Sequence, residues 1–165
     1  MNARLQWLAA AALLGGNAVV ADTTIAKLTV TATVSLTCSL TTTPVAFGLY
    51  DPASAPLKEA AGAVTITCTK GAFSTVALDA GAYQLRTGDA TSRRMKQSGL
   101  DHYLSYTLAH DPGEQQLSGD RLESTLADVG DGTIHHHPVY GRIAVGQAVP
   151  AGSYFDTVLA TVTYH

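Results

Sequence analysis

The chain predicts an all-β fold, an immunoglobulin-like β-sandwich of about seven strands. Three observations carry this. Apolar residues recur at every second position in one short segment after another, which is the period of a strand with one buried face. Gly, Pro and Asp clusters separate those segments at short intervals, and no amphipathic helix of useful length interrupts them. Only 14% of residues are charged, and Thr, Val, Ala and Gly are abundant, a composition suited to strands and turns.

The first alternation is the longest. In residues 22–38, DTTIAKLTVTATVSLTC, positions Leu28, Val30, Ala32, Val34, Leu36 and Cys38 alternate with Lys27 and a series of Thr and Ser. Residues 41–44 then read as a turn, residues 45–50 as a short strand closed by Asp51-Pro52, and residues 53–63 as a loop of small residues. Val64, Ile66 and Cys68 mark a second clear strand, turned by Lys70-Gly71. Val76, Leu78 and Ala80 mark a third, ended by Gly81. Arg93-Arg94-Met95-Lys96 reads as a solvated edge strand. Leu104, Tyr106 and Leu108 give another strand, and residues 111–132 a long polar stretch. Val139, Gly141, Ile143 and Val145 give a further strand, Val149-Pro150-Ala151-Gly152 a turn, and residues 154–164 the closing strand. No repeat or linker divides the chain.

Residues 1–21 have the three parts of an export signal: Arg4 at the positive start, an apolar run over residues 8–14, and small residues before a cut after Ala21. A cut after Ala18 is the alternative. The apolar run is shorter than the roughly 20 residues that span a bilayer. No later segment is predicted to cross a membrane. With Arg4 removed, nine basic residues face 13 acidic ones, a formal charge of about −4. That leaves no basic footprint for nucleic acid or anionic lipid. In an oxidising compartment the isolated pair Cys38 and Cys68 is expected to form a disulfide.

Several segments are similar to a known family: LTVTATVSLTCSL, VTITCTKG, VALDAG, RRMKQSG, LSYTLAHD, and PVYGRIAVGQAVPAGSYFDTVLATVTY. Together they resemble the spore coat protein U domain, the fold of Csu-type (archaic) chaperone–usher pilus subunits. The resemblance covers nearly all of residues 28–164, and GQAVPAGSYFDTV is its most specific part. It implies an incomplete immunoglobulin-like sandwich that lacks one strand and so carries an apolar groove. A periplasmic pilus chaperone would fill the groove first. The N-terminal strand of a neighbouring pilin subunit would replace it in a homo- or hetero-polymer, at an outer-membrane usher. By position before Cys38, the donor residues would be Ala26, Leu28, Val30 and Ala32, with Val34 and Leu36 open to assignment to the subunit's own first strand.

With the signal at 1–21, the resemblance divides the rest of the chain into a donor segment at 22–34 and a sandwich domain at 35–165. It sends the protein through the periplasm to a surface fimbrium of a Gram-negative bacterium, where it would support adhesion and biofilm formation. Family members often carry Trp-Gly in the long loop, where this chain has Leu117-Ser118-Gly119.

Catalytic signatures are not found. There is no G-x-S-x-G elbow, H-E-x-x-H zinc motif, phosphate-binding loop or dinucleotide fingerprint. No enzyme activity and no cofactor are expected. His135-His136-His137 reads as a polar loop entering the Val139 strand. If it were strand, His135 and His137 would share one face and offer two metal ligands, with His110, Asp128 or Asp131 as further donors. The alternatives to a pilin are a spore-coat or surface-layer protein of the same fold, and a periplasmic metal- or ligand-binding module.

Overall fold

A computed structural model describes residues 20–53, 57–113, 115–121 and 124–165. The export signal expected at 1–21 lies outside these apart from its last two residues. The described residues divide at Thr33 into two units, the second being Val34–His165. In the first, residues 20–33 have no regular secondary structure, and Ile25, Leu28 and Val30 are exposed.

The second unit is built of strands. They are β1 (Cys38–Thr43), β2 (Lys58–Cys68), β3 (Phe73–Leu78), β4 (Arg94–Gln97), β5 (Tyr103–Ser105), β6 (Thr107–Ala109), β7 (Leu126–Val129), β8 (Ile134–Ile143), β9 (Tyr154–Phe155) and β10 (Ala160–Tyr164). A 3-10 turn, Ala90–Ser92, is capped by the Asp89 side chain. All pairings are antiparallel, in sheets ordered β1-β2-β8-β6, β10-β3-β7 and β5-β4-β9. Alternate residues of facing strands make one core: Val64 and Ile66 of β2, Val76 and Leu78 of β3, Leu104, Leu108, and Val139 and Ile143 of β8. This is the immunoglobulin-like sandwich that the periodicity predicts.

The strand boundaries differ from the sequence reading in instructive places. The strand predicted over 22–38 begins only at Cys38, and residues 41–43, read as a turn, continue it. Residues 58–63, read as loop, are the first half of β2. A charged pair, Lys58 and Glu59, followed by Ala and Gly gives no apolar alternation, but β8 runs beside them from Lys58↔Ile143 to Ala63↔Pro138 and supplies the ladder. β7 lies inside the stretch read as polar loop. The Arg94–Gln97 strand is central in its sheet, between β5 and β9, so it is no edge. His135–His137 lie within β8.

Candidate functional site

β1 is anchored at its start, where Cys38 stands directly opposite Cys68 in the β1–β2 register and is disulfide-bonded to it. Pro44 then ends the ladder, because proline has no backbone N–H to give. Residues 44–50 run on without strand pairing but keep an alternation: Val45, Phe47 and Tyr50 are half-buried, while Ala46 and Gly48 face outward. Two glycines make room for this segment. A Cβ on Gly62 would lie 2.6 Å from the Thr43 carbonyl oxygen, and one on Gly141 would lie 2.6 Å from Val45 Cγ1 and 2.7 Å from Phe47 Cζ.

The end of the chain is arranged in a similar way. Tyr154, Asp156, Val158, Ala160 and Val162 are half-buried and alternate with exposed residues. Tyr154–Phe155 pair with β4, and the residues after them bond the segment that follows β3: Ala82 N donates to Thr157 O, and Asp79 N to Leu159 O. In the strand order β10 ends its sheet, as β1 ends its own, and each has one edge without a strand partner among the described residues.

A cleft of about 950 Å³ is lined by residues 42–50 and 149–158 together. Val64, Leu78, Leu104, Leu108, Val139 and Ile143 reach it from the core, with Met95 and Ala160. An apolar trough bordered by strand edges without partners among the described residues has the chemistry to receive an extended segment. Main-chain groups on the edges would bond it, and the trough would take its alternate side chains.

One polar pair sits in this lining. The Tyr106 hydroxyl donates to Asp156 Oδ2 at 2.7 Å, while Asp156 Oδ1 accepts from Ala82 N and Thr157 N. Burial, with the neighbouring carboxylate, pushes the Tyr106 phenol well above its ordinary range. Gly81, at φ 80°, makes way for the carboxylate: a Cβ there would overlap Asp156 Oδ2.

Residues 24–161 match the family model described as Spore Coat Protein U domain. The chain belongs to the spore coat protein U domain family. It is 33% identical to "Protein U" of Myxococcus xanthus over 167 residues, covering 94% of this chain and 93% of that protein. In fold it resembles a chain of the CsuC–CsuE chaperone–tip adhesion subunit pre-assembly complex from archaic chaperone–usher Csu pili of Acinetobacter baumannii. The TM-score is 0.54 at 18% identity, over 79% of this chain and 40% of that one.

In this spore coat U domain the two cysteines are joined, and the other residues singled out from sequence fall in two places. Ala26, Leu28, Val30 and Ala32 lie in the first unit, all exposed. His135 and His137 lie on one face of β8 with Asp128 of β7 against both, whereas His136 points the other way and bonds Thr65 Oγ1 at 3.0 Å. His110 takes no part, since its Nε2 lies 3.1 Å from the Ser124 carbonyl oxygen.

Arg93 departs most from the sequence reading. It is not solvated but 1% exposed, and its guanidinium donates to the carbonyls of Leu78, Asp79, Ala90 and Ser118. It ties the end of β3 to the loop carrying Leu117-Ser118-Gly119, where Ser118 is fully buried. An arginine in a basic run carries no mark of such burial; only the carbonyls that converge on it do.

Proposed function

We propose that this chain is a structural subunit of a surface fibre, polymerising by donor-strand exchange. Residues 22–34 of one copy would fill the cleft of the next, with Ala26, Leu28, Val30 and Ala32 directed into it. A periplasmic chaperone would occupy the cleft beforehand, and an outer-membrane usher would carry out the exchange. The mature protein would then stand on the cell surface in a fimbrium that supports adhesion and biofilm formation. Its work is assembly, not catalysis.

The observation that carries the reading is the apolar cleft between residues 42–50, which run on from β1, and residues 149–158, which lead into β10. Two others support it. The alternation of residues 26–32 matches what such a cleft accepts, and these residues have no strand assignment and are exposed. The fold likeness is to a chain from a chaperone–subunit complex of Csu pili. Family membership and the likeness to Protein U favour a second reading, a spore-coat or surface-layer protein in which the same segment pairs with a neighbouring copy. A chaperone and usher encoded beside this chain would favour the first.

The test is thermal unfolding of a chain lacking residues 22–33, with and without a peptide spanning 22–36. A low-melting domain rescued strongly by the peptide is the expected result. A truncated domain that melts high and ignores the peptide would remove the strand-exchange reading in both its forms.

A further inference from the structure

The corner where β7 turns into β8 carries a cluster that strand exchange does not use. Asp128 projects inward from β7, in one sheet. His135 and His137 project inward from β8, in another, because positions two apart on a strand share a face. All three meet between the sheets: His135 Nδ1 lies 2.8 Å from Asp128 Oδ2, and His137 Nε2 lies 2.8 Å from the same oxygen. The side chains are only 26%, 17% and 13% exposed for His135, His137 and Asp128.

We propose that Asp128, His135 and His137 form a binding site for a divalent transition-metal ion of the zinc type, which pins β7 to β8. Their ligand atoms all lie within 4.8 Å of one another. Ligands around a tetrahedral zinc at bond lengths of about 2.0–2.2 Å are separated by roughly 3.3 Å, so small rotations of the three side chains seat the ion. The donor set selects the metal. Two imidazoles and one carboxylate suit zinc, copper or nickel, whereas calcium takes six to eight oxygens.

A supporting shell is also in place. The far nitrogen of His135, Nε2, lies 3.1 Å from Asp131 Oδ1, the carboxylate–histidine arrangement that fixes a ligating ring and its tautomer. That same Asp131 oxygen accepts from Thr133 N and Thr133 Oγ1 at 2.7 Å each, which holds it in the turn. Burial opposes the charge on Asp128, but its hydrogen bonds with the two histidines outweigh this and keep its carboxyl below the usual range. Three protein ligands leave a fourth position open to water or to a side chain of another molecule.

The experiment uses the untagged mature chain, stripped with chelator and titrated with ZnCl2 by calorimetry, with metal content measured after dialysis. One retained ion per chain and a raised melting temperature are expected. Asp128→Asn and His137→Ala should abolish binding, Asp131→Asn should weaken it roughly 10- to 100-fold, and His136→Ala should leave it unchanged. Nitrogen-15 spectra of the wild-type imidazoles keep the test independent of variant folding. Zinc should displace the resonances of His135 Nδ1 and His137 Nε2 and spare those of His136. Absence of saturable one-to-one binding, or wild-type affinity in both Asp128→Asn and His137→Ala, overturns the proposal. Neither result depends on strand exchange.

Discussion

The Tyr106 hydroxyl and the Asp156 carboxylate, 2.7 Å apart, join the strand region between β5 and β6 to the segment that leads into β10. Both residues line the cleft, so this bond sets the distance between two of its walls. Tyr106→Phe keeps the ring but leaves Asp156 Oδ2 without its donor. It should cost about 2 kcal/mol in urea unfolding at pH 8.

The same bond has a pH signature. Tyr106 is held protonated in the folded chain above its ordinary range, by burial first and then by Asp156. Above about pH 10 the unfolded chain gives up this proton and the folded chain keeps it, so unfolding is favoured. The contribution is fully present below pH 10 and is lost as pH rises towards the folded value. The stability gap between wild type and Tyr106→Phe should therefore narrow between pH 9 and pH 11. A gap that stays constant would show that the phenol titrates alike in both states.

Arg93 places a guanidinium among four backbone carbonyls. Arg93→Lys offers three donors from one point in place of a planar fork, and Arg93→Met offers none. Losses of about 2 kcal/mol for Lys and 3 kcal/mol or more for Met are expected in denaturant unfolding, since each carbonyl left dry carries its own penalty. Equal losses for the two would mean that packing, not hydrogen bonding, is the larger contribution.

Gly141 is where the Val45 and Phe47 side chains cross β8. Gly141→Ala puts a methyl in the space they hold and should destabilise by about 1–3 kcal/mol. Adding Val45→Ala should recover part of that loss, because the two sites share the space. A double-mutant cycle with no coupling would place the strain elsewhere.

Removing the Cys38–Cys68 bond frees a loop of 30 residues in the unfolded chain. The chain-entropy argument gives about 3–4 kcal/mol for Cys38→Ser with Cys68→Ser. Reduction of the wild type should lower its melting temperature comparably, as read by scanning calorimetry.

Val30→Asp tests the proposed donor assignment. On the strand-exchange reading the carboxylate would enter the largely apolar cleft of a neighbouring copy, so fibres should fail to form while the monomer still folds and is still captured by a chaperone. Fibres at normal yield, counted by electron microscopy, would move the donor register away from Val30.

Much of the sandwich was legible because a buried face leaves a period of two. Val64, Ile66 and Cys68, the Val76–Leu78 pair, and Val139 with Ile143 stand in strands and in the core as their spacing predicts. Residues 58–63 were not legible, since Ala and Gly show no contrast between faces, and only the neighbouring β8 makes them strand. β7 was hidden by its brevity and by Asp128. The two histidines on one face followed from their spacing, but nothing local named Asp128 over His110 as their partner.

The sequence by itself determined the all-β class, the cysteine pair and the alternation ahead of Cys38, because each depends on composition or on side-chain period. Only the tertiary structure decided the burial of Arg93, the walls of the cleft at residues 42–50 and 149–158, and the meeting of Asp128 with His135 and His137. These depend on which sheet faces which, and on which edges remain without a partner. Such relations are set by packing between segments far apart in the chain, and no local pattern encodes them.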